Sequence, residues 1–262
     1  MEKNLLISKK KNGLVVMTLN RPLVHNALDE DLISRLLETL LKLRENSSIR
    51  VLLIEGAGDS FCAGGDLGWM QRAIKFSLGE NRLDAEKLAQ LMYALDSFPA
   101  PTIAKVHGSV FGGGVGLVAC CDIAFAESDA QFCFSEVRLG LTPSVISPYV
   151  LRAMGQRMAS RYFLSAERFS AQKAQEMQLI HGQYPAKELG MQINKLVDSL
   201  LAGAPQAQRR AKKLIREFDQ GKIGESVIED TALEIAHQRT TDEAQEGLSA
   251  FFDKRSPKWG QD

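Results

Sequence analysis

The chain has no excess of either charge: 32 Lys and Arg face 32 Asp and Glu over 262 residues. That balance withholds the broad attraction that a nucleic acid or an anionic membrane needs. Cysteine is scarce. Cys62, Cys120, Cys121 and Cys133 show no zinc-ligand spacing, and an adjacent pair is badly placed to make separate staples. They read as small buried hydrophobes of a reducing compartment. Long apolar runs are missing too. The opening stretch MEKNLLISKKKNGL has neither the continuous apolar core and cleavage site of a signal peptide nor the Arg-rich, acid-poor character of a transit peptide. Residues 106–121 hold no Lys, Arg, Asp or Glu, but the run is too short and too glycine-rich to span a bilayer. A cytoplasmic protein is the expectation.

Several catalytic signatures are also lacking. No G-x-G-x-x-G can be read through 56–65 or 108–117, and there is no G-x-x-x-x-G-K-[ST], G-x-S-x-G or H-E-x-x-H. Dinucleotide, nucleotide-hydrolase, serine-hydrolase and zinc-protease readings lose their motifs.

What is present is an apolar fraction of 45%, enough for one substantial domain and an appendage. Strands are expected at 13–19, 51–54, 102–106 and 122–126. Helices are expected after Asp29, with Leu32, Ile33, Leu36, Leu37 and Leu40 on one face, and at 84–95. This alternation argues for an α/β core with helices outside. Beyond about residue 156 glycine thins out. Leu189, Ile193, Leu196, Val197 and Leu200 form an apolar stripe, Pro205 opens another helix, and 225–237 and 242–252 are helical in pattern. A soft boundary divides a core, 1–202, from a helical C-terminal region, 203–262. No repeat is evident.

Two glycine-rich stretches stand out, EGAGDSFCAGGDLGWM (55–70) and VHGSVFGGGVGLVACCDIAFA (106–126). Each follows an apolar strand and leads toward a helix start. Such loops let a ligand touch peptide N–H groups, and two N–H groups aimed at one point make an oxyanion hole. The second loop by itself is equally readable as a tight packing turn.

The runs LNRPLVHNAL, FCAGGDL, PTIAKVHGSVFGGGVGLVACCDIAFA and FSEVRLGLTP resemble, in that order, the enoyl-CoA hydratase/isomerase (crotonase) family. The likeness covers nearly the whole chain. Within the family GGDLGWMQR, SEVRLGLTPSVISPYV and RYFLSAERF are most similar to methylglutaconyl-CoA hydratases of leucine breakdown, with isohexenylglutaconyl-CoA hydratases as cousins. The resemblance implies a spiral of ββα units with a helical C-terminal trimerisation region, a homotrimer or dimer of trimers, and an acyl-CoA substrate with no separate cofactor and no metal. It implies that the peptide N–H groups of Gly65 and Gly113 hold the thioester carbonyl as an enolate forms. Val24, Ala63, Asp66 and Leu67 would border the CoA path, with Gly112, Gly116 and Ser144 also in the substrate-binding set. Asp66 is equally readable as a helix N-cap. In the closing helix Phe251 and Lys254 would meet CoA bound by a neighbour.

The family pattern commonly supplies two glutamates. The second is here as Glu136; the first position is Gly116, which cannot transfer a proton. Three readings stay open: hydration by one carboxylate and water, hydration helped by another residue or by the substrate's own distal carboxylate, or isomerisation with Glu136 shuttling a proton. A distal carboxylate calls for a cation, and Arg72, Arg82 and Arg138 are the candidates. His25, His107, His181 and His237 read as structural or surface residues. The cluster Arg209-Arg210-Ala211-Lys212-Lys213 reads as a solvated face or a CoA-phosphate contact. Some relatives are associated with RNA, but zero net charge and the lack of an aromatic platform speak against that reading.

Overall fold

The computed structural model describes residues 3–218 and 223–260. Among them the chain forms nine strands: β1 (Leu5–Lys9), β2 (Leu14–Leu19), β3 (Val51–Gly56), β4 (Thr102–Val106), β5 (Ser109–Phe111), β6 (Ile123–Glu127), β7 (Gln131–Cys133), β8 (Phe169–Ser170) and β9 (Gly182–Tyr184). The helices are α1 (Glu30–Arg44), α2 (Leu67–Ala73), α3 (Leu78–Asp96), α4 (Gly113–Cys120), α5 (Ser147–Ser165), α6 (Ala171–Glu176), α7 (Ala186–Ala202), α8 (Pro205–Glu217), α9 (Glu225–Thr240) and α10 (Asp242–Phe252).

A large sheet runs β1-β2-β3-β4-β6-β9 and a small one β5-β7-β8. β1 lies antiparallel to β2, and the rest of the large sheet is parallel. The chain lays β4 in the large sheet, crosses to β5 in the small one and returns through α4. It repeats the course with β6, β7 and α5. One turn earlier the small-sheet strand shrinks to a single bridge, Cys62 with Val110. This is the spiral of ββα units that the resemblance implied.

The apolar pattern explains the layers. The first four residues of β3, Val51-Leu52-Leu53-Ile54, are all buried, as a central parallel strand covered on both faces must be. Leu52 and Ile54 join the main core with Leu32, Leu36 and Leu40 of α1. Val51 and Leu53 point the other way, with Ile103, onto Leu189, Ile193 and Val197 of α7. Asp29 caps α1, accepting from the Leu32 N–H at 2.8 Å. α3 begins six residues earlier than its sequence pattern suggests. Ser77 and Glu80 make a capping box there, and the buried residues fall only in its second half.

The basic cluster of α8 is split: Lys213 stays exposed, while other members turn inward. The Lys212 ammonium is buried, 2.6 Å from Asp122 Oδ2, and Asp122 in turn accepts from the Thr102 N–H at 2.7 Å. Arg209 donates to the Ser47 and Ile49 carbonyls, and Arg210 pairs with Glu234. α9, by contrast, has no buried residue, and α10 buries only Ala250. Among the described residues no helix is long and apolar enough to cross a membrane.

Candidate active site

The site is assembled where two loops lie side by side. The first is braced by residues from the LNRPLVHNAL segment. Asn26 is fully buried with a left-handed backbone (φ 56°). Its Nδ2 donates to the Ala57 and Ser60 carbonyls at 2.8 and 2.7 Å, and its Oδ1 accepts from the Arg21 N–H at 2.8 Å. The Arg21 guanidinium pairs with Asp29 at 2.8 Å and Asp66 at 3.0 Å. It thereby ties the caps of α1 and α2 to one cation. Leu28 then runs beside the loop as a parallel bridge to Gly65. The Leu28 N–H donates to the Gly64 carbonyl and the Asp66 N–H to the Leu28 carbonyl, both at 2.8 Å. A parallel bridge of this kind uses the groups flanking Gly65 and turns its own N–H to the opposite side.

The second loop is laced to the first. Cys62 N–H donates to the Ser109 carbonyl at 3.2 Å, and Phe111 N–H to the Cys62 carbonyl at 2.9 Å. Gly112 N–H is spent on the Cys133 carbonyl at 2.9 Å, and α4 starts at Gly113. The first N–H groups of a helix have no intrahelical acceptor, and the helix start carries partial positive charge. Among the described residues neither the Gly65 nor the Gly113 N–H donates a hydrogen bond. Two donors on adjacent loops are thus left over, one of them at a helix N-terminus.

Glu136 completes the arrangement. It opens a 3-10 turn, Glu136–Leu139, that follows β7. Its Oε1 lies where it would stand 3.0 Å from a Cβ on Gly112. Gly112 has φ 46° and ψ −115°, a conformation open to glycine, and the missing side chain gives the carboxylate its place. Oε2 is buried and, among the described residues, has no hydrogen-bond partner. Burial raises the Glu136 pKa above its ordinary 4.5, a push only partly offset by its own backbone N–H. A desolvated carboxyl without a cation beside it is poised to exchange a proton.

The other expected residues are placed as follows. Ala63 donates its N–H to the His25 carbonyl at 3.0 Å, while Val24 and Leu67 are exposed. Asp66 caps α2, accepting from the Trp69 N–H at 3.0 Å. Burial would raise its pKa, but the Trp69 N–H and Arg21 outweigh it and hold the carboxyl below its usual range. Asp66→Ala should therefore lower stability by about 1 kcal/mol, the typical value of an N-cap, and leave kcat within a few-fold. A thermal melt and initial rates check both. Ser144 is exposed, and its hydroxyl pairs with Thr142. Gly116 is buried inside α4, and the space over it is taken by Ile146 of the same chain. Phe251 and Lys254 are exposed on the tail.

Of the three arginines, Arg72 is held by Glu30 through contacts of 2.7 and 3.0 Å, and Arg82 by Glu86 at 2.8 Å. Arg138, two residues after Glu136, has no carboxylate partner among the described residues. Three histidines do structural work: His25 on the Ser60 hydroxyl, His107 on the Gly58 carbonyl, and His181 on the Ala124 N–H. The Cys62 thiol in the first loop is pushed up to about 12 by burial, which removes it as a thiolate nucleophile. Among the described residues no three His, Cys, Asp or Glu side chains are grouped as a metal site. Sequence reasoning missed Arg21, Asn26 and Ile146. The first two carried a signal, since both lie in the run LNRPLVHNAL that carries part of the family resemblance; Ile146 carried none.

Comparison with known proteins shows the family and the fold. The family model described as enoyl-CoA hydratase/isomerase matches residues 9–262. The chain is 30% identical over 254 residues to the 2,3-dehydroadipyl-CoA hydratase of Escherichia coli K12, covering 96% of this chain and 97% of the relative. It is 31% identical to the crotonyl-CoA hydratase of Syntrophomonas wolfei, with 95% of each covered. The crystal structure of an enoyl-CoA hydratase from Shewanella pealeana superposes with a TM-score of 0.94 at 45% identity, covering 98% of this chain and 96% of that one.

Proposed function

The chain belongs to the enoyl-CoA hydratase/isomerase family and is a hydratase-type enzyme acting on acyl-CoA, and on that premise we propose that it hydrates 3-methylglutaconyl-CoA to 3-hydroxy-3-methylglutaryl-CoA, as in leucine breakdown. The observation that carries the chemistry is the pair of undonated N–H groups, Gly65 and Gly113, beside one desolvated carboxylate. In this reading the thioester carbonyl accepts from both N–H groups. Glu136 takes a proton from water as the hydroxyl oxygen bonds to the β carbon. The double-bond electrons move to the carbonyl as an enolate, which the two donors stabilise. Glu136 then returns the proton to the α carbon, so water is consumed and the carboxylate is regenerated. No cofactor beyond the substrate's own coenzyme A takes part.

The acyl choice rests on the local sequence likeness and on Arg138, the candidate cation without a carboxylate partner among the described residues. A glutaconyl chain ends in a carboxylate that Arg138 would meet. The E. coli relative is named for 2,3-dehydroadipyl-CoA, also a dicarboxylic thioester, whereas the S. wolfei relative is named for crotonyl-CoA. The same reading makes the protein a cytoplasmic homotrimer or dimer of trimers, with 203–262 as the assembly region on a 1–202 core. Its support is α9, which buries no residue, together with Phe251 and Phe252, which are 76% and 75% exposed. In this assembly Phe251 and Lys254 reach a neighbour's CoA, while Val24, Ala63, Asp66 and Leu67 border the CoA path.

The test is to incubate the pure protein separately with 3-methylglutaconyl-CoA and crotonyl-CoA and weigh the products. Gain of one water, faster with the first thioester, is the expected result. Faster turnover of crotonyl-CoA would overturn the acyl assignment. A shifted double bond without change of mass would make the enzyme an isomerase.

A further inference from the structure

Gly116 is four residues beyond Gly112, and its N–H reaches back to the Gly112 carbonyl at 3.2 Å. The two glycines therefore lie one helical turn apart, about 5.4 Å along the axis. Each receives a side chain. Gly112 receives the Glu136 carboxylate, and Gly116 receives Ile146. Both visitors come from one connection, with Glu136 at its start and Ile146 at its end, capping α5. The fit at Gly116 is tight. A Cβ there would stand 2.2 Å from Ile146 Cγ2, 3.0 Å from Ile146 Cβ and 3.2 Å from Met92 Cε. Ile146 is 3% exposed and fixed by its backbone, since its carbonyl accepts the Val150 N–H at 3.1 Å. Its Cβ, 3.0 Å from where a Gly116 Cβ would stand, cannot move off without shifting the start of α5.

We propose that Ile146 is the positioning residue of this site: seated on the Gly116 turn, it excludes any second acid from α4 and presents hydrocarbon on the turn next to Glu136. The inference rests on the hydratase reading above and deepens it. It explains why one carboxylate works alone here, through the side chain that takes the room of another. A buried branched aliphatic one helical turn from the Glu136 carboxylate also limits where water can stand, so removing its bulk admits water toward Glu136.

Two kinds of measurement separate this proposal from the reading beneath it. The first needs no substrate. Thermal unfolding at fixed protein concentration is followed for Gly116→Ala, Ile146→Ala and the double variant. Each single change should lower the unfolding temperature, by roughly 5 °C, through overpacking or a cavity. The double should melt clearly above the sum of the two losses, because the new methyl enters the vacated space. Strictly additive losses would overturn the seating of Ile146 on Gly116. The second is the pH profile of kcat with the enoyl thioester. Ile146→Ala should lower kcat about tenfold with KM little changed, and move the acid limb toward the ordinary glutamate range. Ile146→Val should restore most of both. An unmoved acid limb in a folded Ile146→Ala overturns the positioning role. Wild-type protein inert toward both thioesters, with thermal coupling intact, would overturn the hydratase reading and the catalytic part of this proposal together.

Discussion

Replacing Glu136 with Gln should cut kcat at least ~100-fold, within the range of a general acid–base group, and should raise the unfolding temperature at neutral pH. The two halves of this result have one cause. Gln keeps the shape that rests against Gly112 but accepts no proton, so water is not activated. The thioester still binds, and KM should change little. The stability half follows from the sign of the shift. Burial lifts the Glu136 pKa above 4.5, so the folded protein holds that proton more tightly than the unfolded chain. The favourable protonated form is fully present below the ordinary value and is lost as pH rises through the folded one. At neutral pH the wild type carries a buried charge with an unpartnered oxygen, a load the amide lacks. Melts from pH 4 to 8 should show wild type and variant diverging upward in pH. A kcat within a few-fold of wild type would remove Glu136 from the chemistry. A variant that melts lower at pH 7 would mean the carboxylate is stabilised where it sits.

Gly114→Ala should cost on the order of 100-fold in kcat/KM while the protein stays folded. Two effects compete. Within a helix Ala is better than Gly by at most about 1 kcal/mol, which favours the variant, though Gly114 lies in the first turn of α4. Against this, the new Cβ would stand 2.3 Å from the Cys62 carbonyl oxygen and 3.0 Å from Cys62 Cβ. Overpacking of this kind costs about 1–3 kcal/mol, and the nearest neighbour is backbone, which cannot rotate away. Contact wins over propensity. The loops must part, and the Cys62 carbonyl that accepts Phe111 N–H moves with them. Gly65 lies three residues from Cys62 and Gly113 adjoins the new side chain, so the two free N–H groups lose their common aim. Loss of one such donor is worth about 10²–10³ in kcat. A Gly114→Ala protein that is more stable and fully active would show that the loops are not in contact as described.

The parts of the molecule that rest on local chemistry were legible in the sequence. Val51-Leu52-Leu53-Ile54 could only be an inner strand, Asp29 announced a helix, and the bounds of α10 fall where its apolar pattern placed them. Both glycine loops were visible as glycine runs after apolar strands, whereas Glu136 was singled out only through the resemblance to the family's pattern of glutamates. What stayed hidden depends on distant partners. The ββα repeat was legible only through the family resemblance and not from periodicity, since its second strands, β5 and β7, have three residues each, too few to show alternation. β1 is an edge strand, mostly exposed, so its sequence lacks the buried run that marks an inner strand. The first half of α3 buries nothing and so has no stripe. Lys212 shows the limit of reading charge. In a run of four cations it looks solvated, yet Asp122, 90 residues away, draws it into the interior. The contact of Gly116 with Ile146 is of the same kind.

The alternation between sheets has a bearing on how the protein is made. Neither sheet is encoded by a continuous stretch, because the three short strands of one are interposed among the last strands of the other. A nascent chain that has emerged as far as β6 holds five strands of the large sheet and a single strand of the small one. The open edge of β6 then waits for β9, which ends at Tyr184. Until then the unpaired edge is available to other chains. Both glycine loops and Glu136 have been made before β9, Gly182–Tyr184, covers that edge. Pairings between strands this far apart in sequence close late, so a chain that has not yet reached β9 leaves the large sheet open at β6.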